Sequence, residues 1–228
     1  MVAALEREIW PLVRHWRASD RDYSGRRFRF FESEHRVAVC AGVGAQAARR
    51  ATEAIVSLYR PALVQSVGFA GALDDTLPVG HVLEIRQVID ASDGSRTDTG
   101  SGSGVLVTFS SVAGQEQKAK LAKAYRAQAI DMEAASVAKG AEAHGLRFVA
   151  IKVISDESSF LMPPMERFIR SDGTFRSGSF ALYAALRPWL WGPVIRLARN
   201  SAKASYRLCE FLSKNAGDAA SVTAEAGF

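Results

Sequence analysis

AQAIDMEAASVAKGAEAHGLRFVAIKVISD, residues 127–156, reads as a strand, a helix and a second strand in succession. Residues 127–130 form a short apolar run that predicts a strand. An alanine-rich segment over 133–144 predicts a helix, and Gly145 punctuates its end. RFVAIKVIS, residues 147–155, is a near-continuous apolar run, as expected of a strand buried on both faces. Two acids, Asp131 and Glu133, stand where the first strand meets the helix, with Met132 between them. Ser155 and Asp156 stand at the end of the second strand. Strand, helix and strand in this order predict a parallel or mixed sheet with helices on its faces.

The same alternation extends outward. VAAL at 2–5 predicts a short first strand, followed by a helix with Ile9, Leu12, Val13 and Trp16 at helical spacing. RRFRFFES (26–33) and RVAVCAG (36–42) together predict a hairpin. GAQAARRATEAIVSLYR (44–60) predicts a helix stopped by Pro61, and ALVQSVGFAGAL (62–73) a buried strand entering a Gly/Ala turn. Strands follow at 80–89 and 104–112, separated by the polar loop DASDGSRTDTGSGSG (90–104), and a helix at 114–125. After Asp156 the texture changes. Residues 157–178 mix Pro, Gly and apolar residues as a lid or long connection, 179–214 predict C-terminal helices, and 215–228 a disordered tail.

Composition excludes several classes. The chain has 228 residues, 48% hydrophobic and 23% charged, enough apolar mass for one α/β domain. Two distant cysteines, Cys40 and Cys209, suit a reducing, cytoplasmic setting without a disulfide framework. Glu6, Arg7 and Glu8 interrupt the first apolar residues, so no signal peptide is expected. The net charge is +5, and the six basic residues between Arg187 and Lys214 against Glu210 alone account for it. The rest is near balance, which argues against a nucleic-acid groove. The four histidines are scattered, so no metal or other bound cofactor is expected. GAQA at 44–47 departs from the dinucleotide fingerprint at Ala47.

Ligands of open α/β sheets gather outside the carboxyl ends of strands. Those ends carry Glu8 after the first strand, GFAGAL after the 63–69 strand, Asp131 and Glu133, then Ser155 and Asp156. Three separated carboxylates are thus expected to converge on one cleft, with Asp131 structural.

AIDMEAASVA (129–138) and FVAIKVISDE (148–157) resemble the Met-Glu and Ser-Asp motifs of the purine nucleoside phosphorylase and nucleosidase superfamily. SVGFAGALDDTLPVGHVLEI (66–85) resembles its Gly-rich strand-turn, with His81 where the family has Asp. AALEREI (3–9) resembles the opening of the methylthioadenosine/S-adenosylhomocysteine nucleosidases. The resemblance spans about residues 2–157. The segment 170–204 is similar to the end of hopanoid-associated phosphorylases, which remove adenine from adenosylhopane. The fold implied is a three-layer α/β/α sandwich with a mixed central sheet and a helical C-terminal extension, one domain over 1–214.

The resemblance also implies roles. Asp156 protonates or hydrogen-bonds N7 of the leaving purine, with burial raising its pKa. Glu133 accepts the ribose hydroxyls, Met132 packs on the ribose, and Glu8 positions the nucleophile. Ser155, Phe69, Ala70, Gly71 and Val112 complete the substrate pocket. The phosphorylases hold phosphate with an Arg before the Gly-rich turn and a Ser within it, and Ser66 and Phe69 occupy those places here. Phosphate as co-substrate would then rest on backbone N–H groups near Gly42 and Gly44. Phosphorolysis of adenosylhopane, hydrolysis of the nucleosidase type, and nucleoside sensing without turnover all remain open. The family also implies a homo-oligomer. Leu186, Trp189, Leu190, Trp191, Val194, Ile195 and Leu197 lie among basic residues, so a peripheral contact with the inner face of the membrane through 186–200 is expected, as a lipid-linked nucleoside requires.

Overall fold

The computed structural model describes residues 1–215, and the expected disordered tail lies, apart from Asn215, outside the described residues. Ten strands share one mixed sheet: β1 (Val2–Ala3), β2 (Arg17–Tyr23), β3 (Arg26–Glu32), β4 (Val37–Cys40), β5 (Leu63–Ala72), β6 (Val82–Asp90), β7 (Arg96–Asp98), β8 (Gly104–Thr108), β9 (Ala129–Asp131) and β10 (Arg147–Asp156). The helices are α1 (Glu6–Val13), α2 (Ala45–Tyr59), α3 (Gln115–Tyr125), α4 (Ala134–Ala143), α5 (Ser177–Ala185) and α6 (Trp191–Lys214).

β5 is the hub. It runs parallel to β10 along its length and parallel to β1 at Ser66, and it turns antiparallel to β9 at Gly71 and Ala72. β10 pairs with β6, β6 with β8 and β8 with β9, so five strands close a ring through β5. From that ring β1, β4, β3 and β2 extend as an open wing.

Helices cover both faces. The alanine faces of α2 and α4 pack on each other and on the sheet over a core that includes Phe30, Ile55, Leu106 and Ile154. On the other face α1 and the C-terminal half of α6 enclose Ile9, Val13, Val153, Leu208 and Leu212. Complete burial of Phe30, whose ring centroid is 5.0 Å from that of Tyr59, contributes about 1.5–3 kcal/mol.

Three expectations need correction. α1 ends at Val13, so Trp16 lies beyond it and leads into β2, a strand absent from the sequence reading. β2 is RASDRDY, almost wholly polar, and has no apolar alternation to announce it. Its charged side chains suit an unpaired sheet edge. Glu32 on β3 anchors it, accepting hydrogen bonds from Arg17, from Ser19 Oγ at 2.6 Å and from Tyr59 Oη at 2.6 Å on α2. The polar loop at 90–104 contains β7, paired antiparallel with β6. The first of the C-terminal helices expected over 179–214 already begins at Ser177 and ends at Ala185, and Pro188 separates it from α6.

Candidate active site

The carboxyl ends of β1, β5, β9 and β10 open on one cleft of about 170 Å³. Glu8, Phe69, Ala70, Gly71, Val112, Met132, Glu133, Ser155 and Asp156 all line it. Arg7, Lys118 and Asp131 line it too, together with Met162 from the connection after β10.

Each acid reaches the cleft for a local reason. Alternation along β10 would put Ser155 and Asp156 on opposite faces, but the β10–β5 register shifts between Ile154 and Asp156. That bulge turns both residues toward the cleft, where both are buried. Ser155 Oγ lies 2.7 Å from Asp156 Oδ1. Gly71 on β5 gives room for this arrangement, since a Cβ there would sit 2.9 Å from Asp156 Oδ2 and 3.1 Å from Lys118 Nζ. Glu8 folds back over the entry of α1, where its Oε2 accepts the N–H groups of Ala4 at 3.1 Å and Leu5 at 3.3 Å. It lies against Gly68, where φ is +147° and a Cβ would stand 2.6 Å from Oε2, so only glycine fits.

Glu133 begins α4. Its Oε1 accepts Gly44 N–H at 2.7 Å and its Oε2 accepts Met132 N–H at 3.3 Å. Asp131 has the structural place expected of it. It accepts Thr108 Oγ1 at 2.6 Å and the amide of Ala134 at 2.9 Å, and pairs with Lys152 at 2.9 Å.

Burial governs the electrostatics. It raises the Glu8 carboxyl above its usual range. It also raises Glu133, with help from the negative charge of Asp131, to about 8. Lys152 is the counterweight. Burial alone would lower its ammonium, but the charges of Asp131 and Glu133 outweigh burial and raise it. Two carboxyls in the same cleft therefore carry protons more readily than solvated acids do, as proton-transfer chemistry near neutral pH requires.

Two expectations about the site change. The amides of the 42–44 turn are not free for phosphate. Gly42 N–H donates to Ala4 O at 2.9 Å, Val43 N–H to Gly173 O at 2.8 Å, and Gly44 N–H to Glu133. Nor does Asp156 stand alone in apolar surroundings. Lys118 Nζ on α3 lies 2.5 Å from its Oδ2, with both side chains buried.

Sequence reasoning missed both buried lysines. Lys152 had a signal, being the one charge within the apolar run of β10 between Phe148 and Ile154. Lys118 had none. It is one of three lysines on a polar helix, and Lys120 and Lys123 are exposed. Among the described residues no cluster of His, Cys, Asp or Glu could hold a metal ion.

Beside the cleft, and sharing Arg7 with it, lies an apolar groove of about 660 Å³. Trp10 and Pro11 of α1, Phe175, Phe180 of α5, and Val194 and Leu197 of α6 form its walls.

The sequence matches the phosphorylase superfamily over residues 2–113 and 103–163. No curated protein matches it. Among solved structures, futalosine hydrolase of Helicobacter pylori superposes with a TM-score of 0.70 at 16% identity, covering 95% of this chain and 96% of that one. The 5'-methylthioadenosine/S-adenosylhomocysteine nucleosidase of Helicobacter pylori, bound to butyl-thio-DADMe-Immucillin-A, gives 0.68 at 16% identity over 95% and 96% of the two chains. The S-adenosylhomocysteine nucleosidase of Streptococcus pyogenes gives 0.67 at 18% identity over 92% of each. At these identities the likeness is one of fold.

Proposed function

This chain belongs to the phosphorylase superfamily, and from that premise we propose that it cleaves the N-glycosidic bond of a purine nucleoside. The observation that carries the proposal is the meeting of Glu8, Glu133 and Asp156, from three elements distant in sequence, around one cleft. Breaking the bond leaves positive charge on the ribose and negative charge on the departing purine. Asp156 faces the base and delivers a proton toward N7. Glu133 accepts the ribose hydroxyls and, once ionised, favours the cationic sugar. Met132 packs on the ribose, and Glu8 orients the nucleophile.

Water is the favoured nucleophile. The amides of the 42–44 turn are already engaged. Ser66 and Phe69 stand where the phosphorylases carry Arg and Ser. Glu8 is a buried carboxyl whose raised pKa suits a group that takes a proton from water. One observation favours phosphorolysis as a second reading. Arg7 lines the cleft and makes no salt bridge among the described residues, so its guanidinium is available to an oxyanion.

The adjoining apolar groove supports a substrate with a bulky hydrocarbon on the ribose, of which adenosylhopane is the instance suggested by the C-terminal segment. Such a substrate partitions into lipid. Trp189 is 72% and Trp191 52% exposed, with Leu182, Leu186 and Ile195 also exposed nearby, among Arg187, Arg196 and Arg199. We place a peripheral membrane contact there. No described helix is long and apolar enough to cross a membrane.

The test is base release. Adenosine, methylthioadenosine and a 5'-alkylated adenosine are incubated with and without phosphate, and free adenine and the sugar product are separated by chromatography. The proposal expects adenine and a free sugar without phosphate. Adenine only with phosphate, together with a sugar 1-phosphate, establishes the phosphorolytic reading. Saturable binding with no adenine in either case refutes cleavage and leaves a sensor.

A further inference from the structure

We propose that Lys118 is the proton source behind Asp156, so that the leaving base draws its proton from a buried Lys–Asp pair rather than from an isolated carboxyl. The inference rests on the glycosidic-cleavage reading and extends it to a residue outside the motifs that suggested that reading.

Lys118 lies on the fourth helical position after Gly114, on a helix whose other lysines are solvated. Its side chain is only 4% exposed. Burying an ammonium carries a penalty of several kcal/mol that a methionine of similar length would not incur. Its Nζ donates to Asp156 Oδ2 at 2.5 Å and to the carbonyl of Glu157 at 2.9 Å. An ammonium has three protons, and these contacts use two. Among the described residues the third finds no acceptor, and Lys118 lines the cleft. On the other side of the carboxylate, Ser155 Oγ lies 2.7 Å from Oδ1. Asp156 therefore receives hydrogen bonds at both oxygens, and the nearest ionic proton to it is on Lys118.

The step balances as follows. The bond between the ribose C1' and the purine N9 breaks, and its electron pair goes to the purine. Lys118 Nζ gives one proton to Oδ2 of the Asp156 carboxylate, and Asp156 passes a proton on to N7 of the purine. Asp156 ends as it began, a carboxylate, and Lys118 ends as a neutral amine. Once the base departs, the amine recovers its proton from water entering the cleft.

The experiment compares leaving groups. A purine nucleoside needs a proton on its base, whereas p-nitrophenyl β-D-riboside releases a stable phenolate and needs none. K118M removes the donor, and K118R keeps a cation against Asp156 that does not give up its proton. Both variants should lower kcat for the purine nucleoside by about 10²–10⁴-fold, the usual contribution of general-acid catalysis. Both should retain turnover of the p-nitrophenyl riboside to within about tenfold of wild type. Full recovery of purine turnover in K118R would overturn the proposal, reducing Lys118 to a positioning charge. So would equal losses on both substrates in K118R. A wild-type protein inert on both substrates would instead overturn the cleavage reading on which the proposal rests.

Discussion

Replacing Glu133 with glutamine should flatten the pH dependence of stability. The folded carboxyl titrates near 8 because it is buried beside Asp131, against an ordinary value of 4.5. Between those values the folded protein holds a proton that the unfolded chain releases. Relative to alkaline solution, Glu133 thus adds stability that is fully present below 4.5 and is lost as the pH rises through about 8. At pH 6 the contribution is RT ln(1 + 10²), on the order of 3 kcal/mol, and at pH 9 it is close to zero. E133Q cannot titrate, yet its amide oxygen still accepts Gly44 N–H. Glu8, raised in the same direction, is present in both proteins and largely cancels from their difference. Urea denaturation followed by tryptophan fluorescence at pH 6, 7, 8 and 9 gives that difference directly. It should shift by roughly 3 kcal/mol across the range, with wild type losing ground toward alkaline pH. Parallel curves, with a shift under about 0.5 kcal/mol, would refute the picture of a buried, proton-holding Glu133.

Lys152→Met should destabilise the chain by about 3–5 kcal/mol in denaturant, because it leaves the buried Asp131 without its cation. Adding Asp131→Asn should recover part of the loss. Gly68→Ala should cost about 1–3 kcal/mol and lower base release at least about tenfold, since its Cβ would displace Glu8. Calorimetry and the adenine assay check the two effects separately. Vesicles containing anionic lipid should carry the wild-type protein in a flotation gradient, and Trp189→Ser with Trp191→Ser should abolish that. Equal flotation of the double variant would remove the membrane contact from these residues.

Much of the fold was legible because each buried element has its period in the sequence. β5 and β10 are apolar runs of strand length, and α2 and α4 place small apolar residues on one face. β2 was not, because an edge strand of arginines and aspartates is held by Glu32 and Tyr59 rather than by an apolar face. Ring closure through β5 was also invisible. It depends on β5 pairing with β9 at two residues and with β10 along its length, a matter of register between segments far apart. The site followed the same division. Glu8, Glu133 and Asp156 stand at or beyond the carboxyl ends of strands, and strand direction brings those ends to one cleft. Ser155 and Asp156 face the same way only because of a bulge that no pattern announced. The glycines at 42 and 44 looked like an anion cradle, but their amides serve Ala4 and Glu133. Lys118 is distinguished from Lys120 and Lys123 by tertiary packing alone.

The central claim is that three acids gathered at one cleft pull a purine from its sugar, with Asp156 on the side of the base. Single-turnover release of adenine by wild type and by Asp156→Asn, at equal and saturating enzyme, tests it most directly. The account predicts release by wild type and a rate constant lower by about 10²–10⁴-fold in the variant, whose far-ultraviolet circular dichroism at the assay temperature matches wild type although the buried Lys118 loses its partner and the melting temperature falls. Release at the wild-type rate from Asp156→Asn would contradict it.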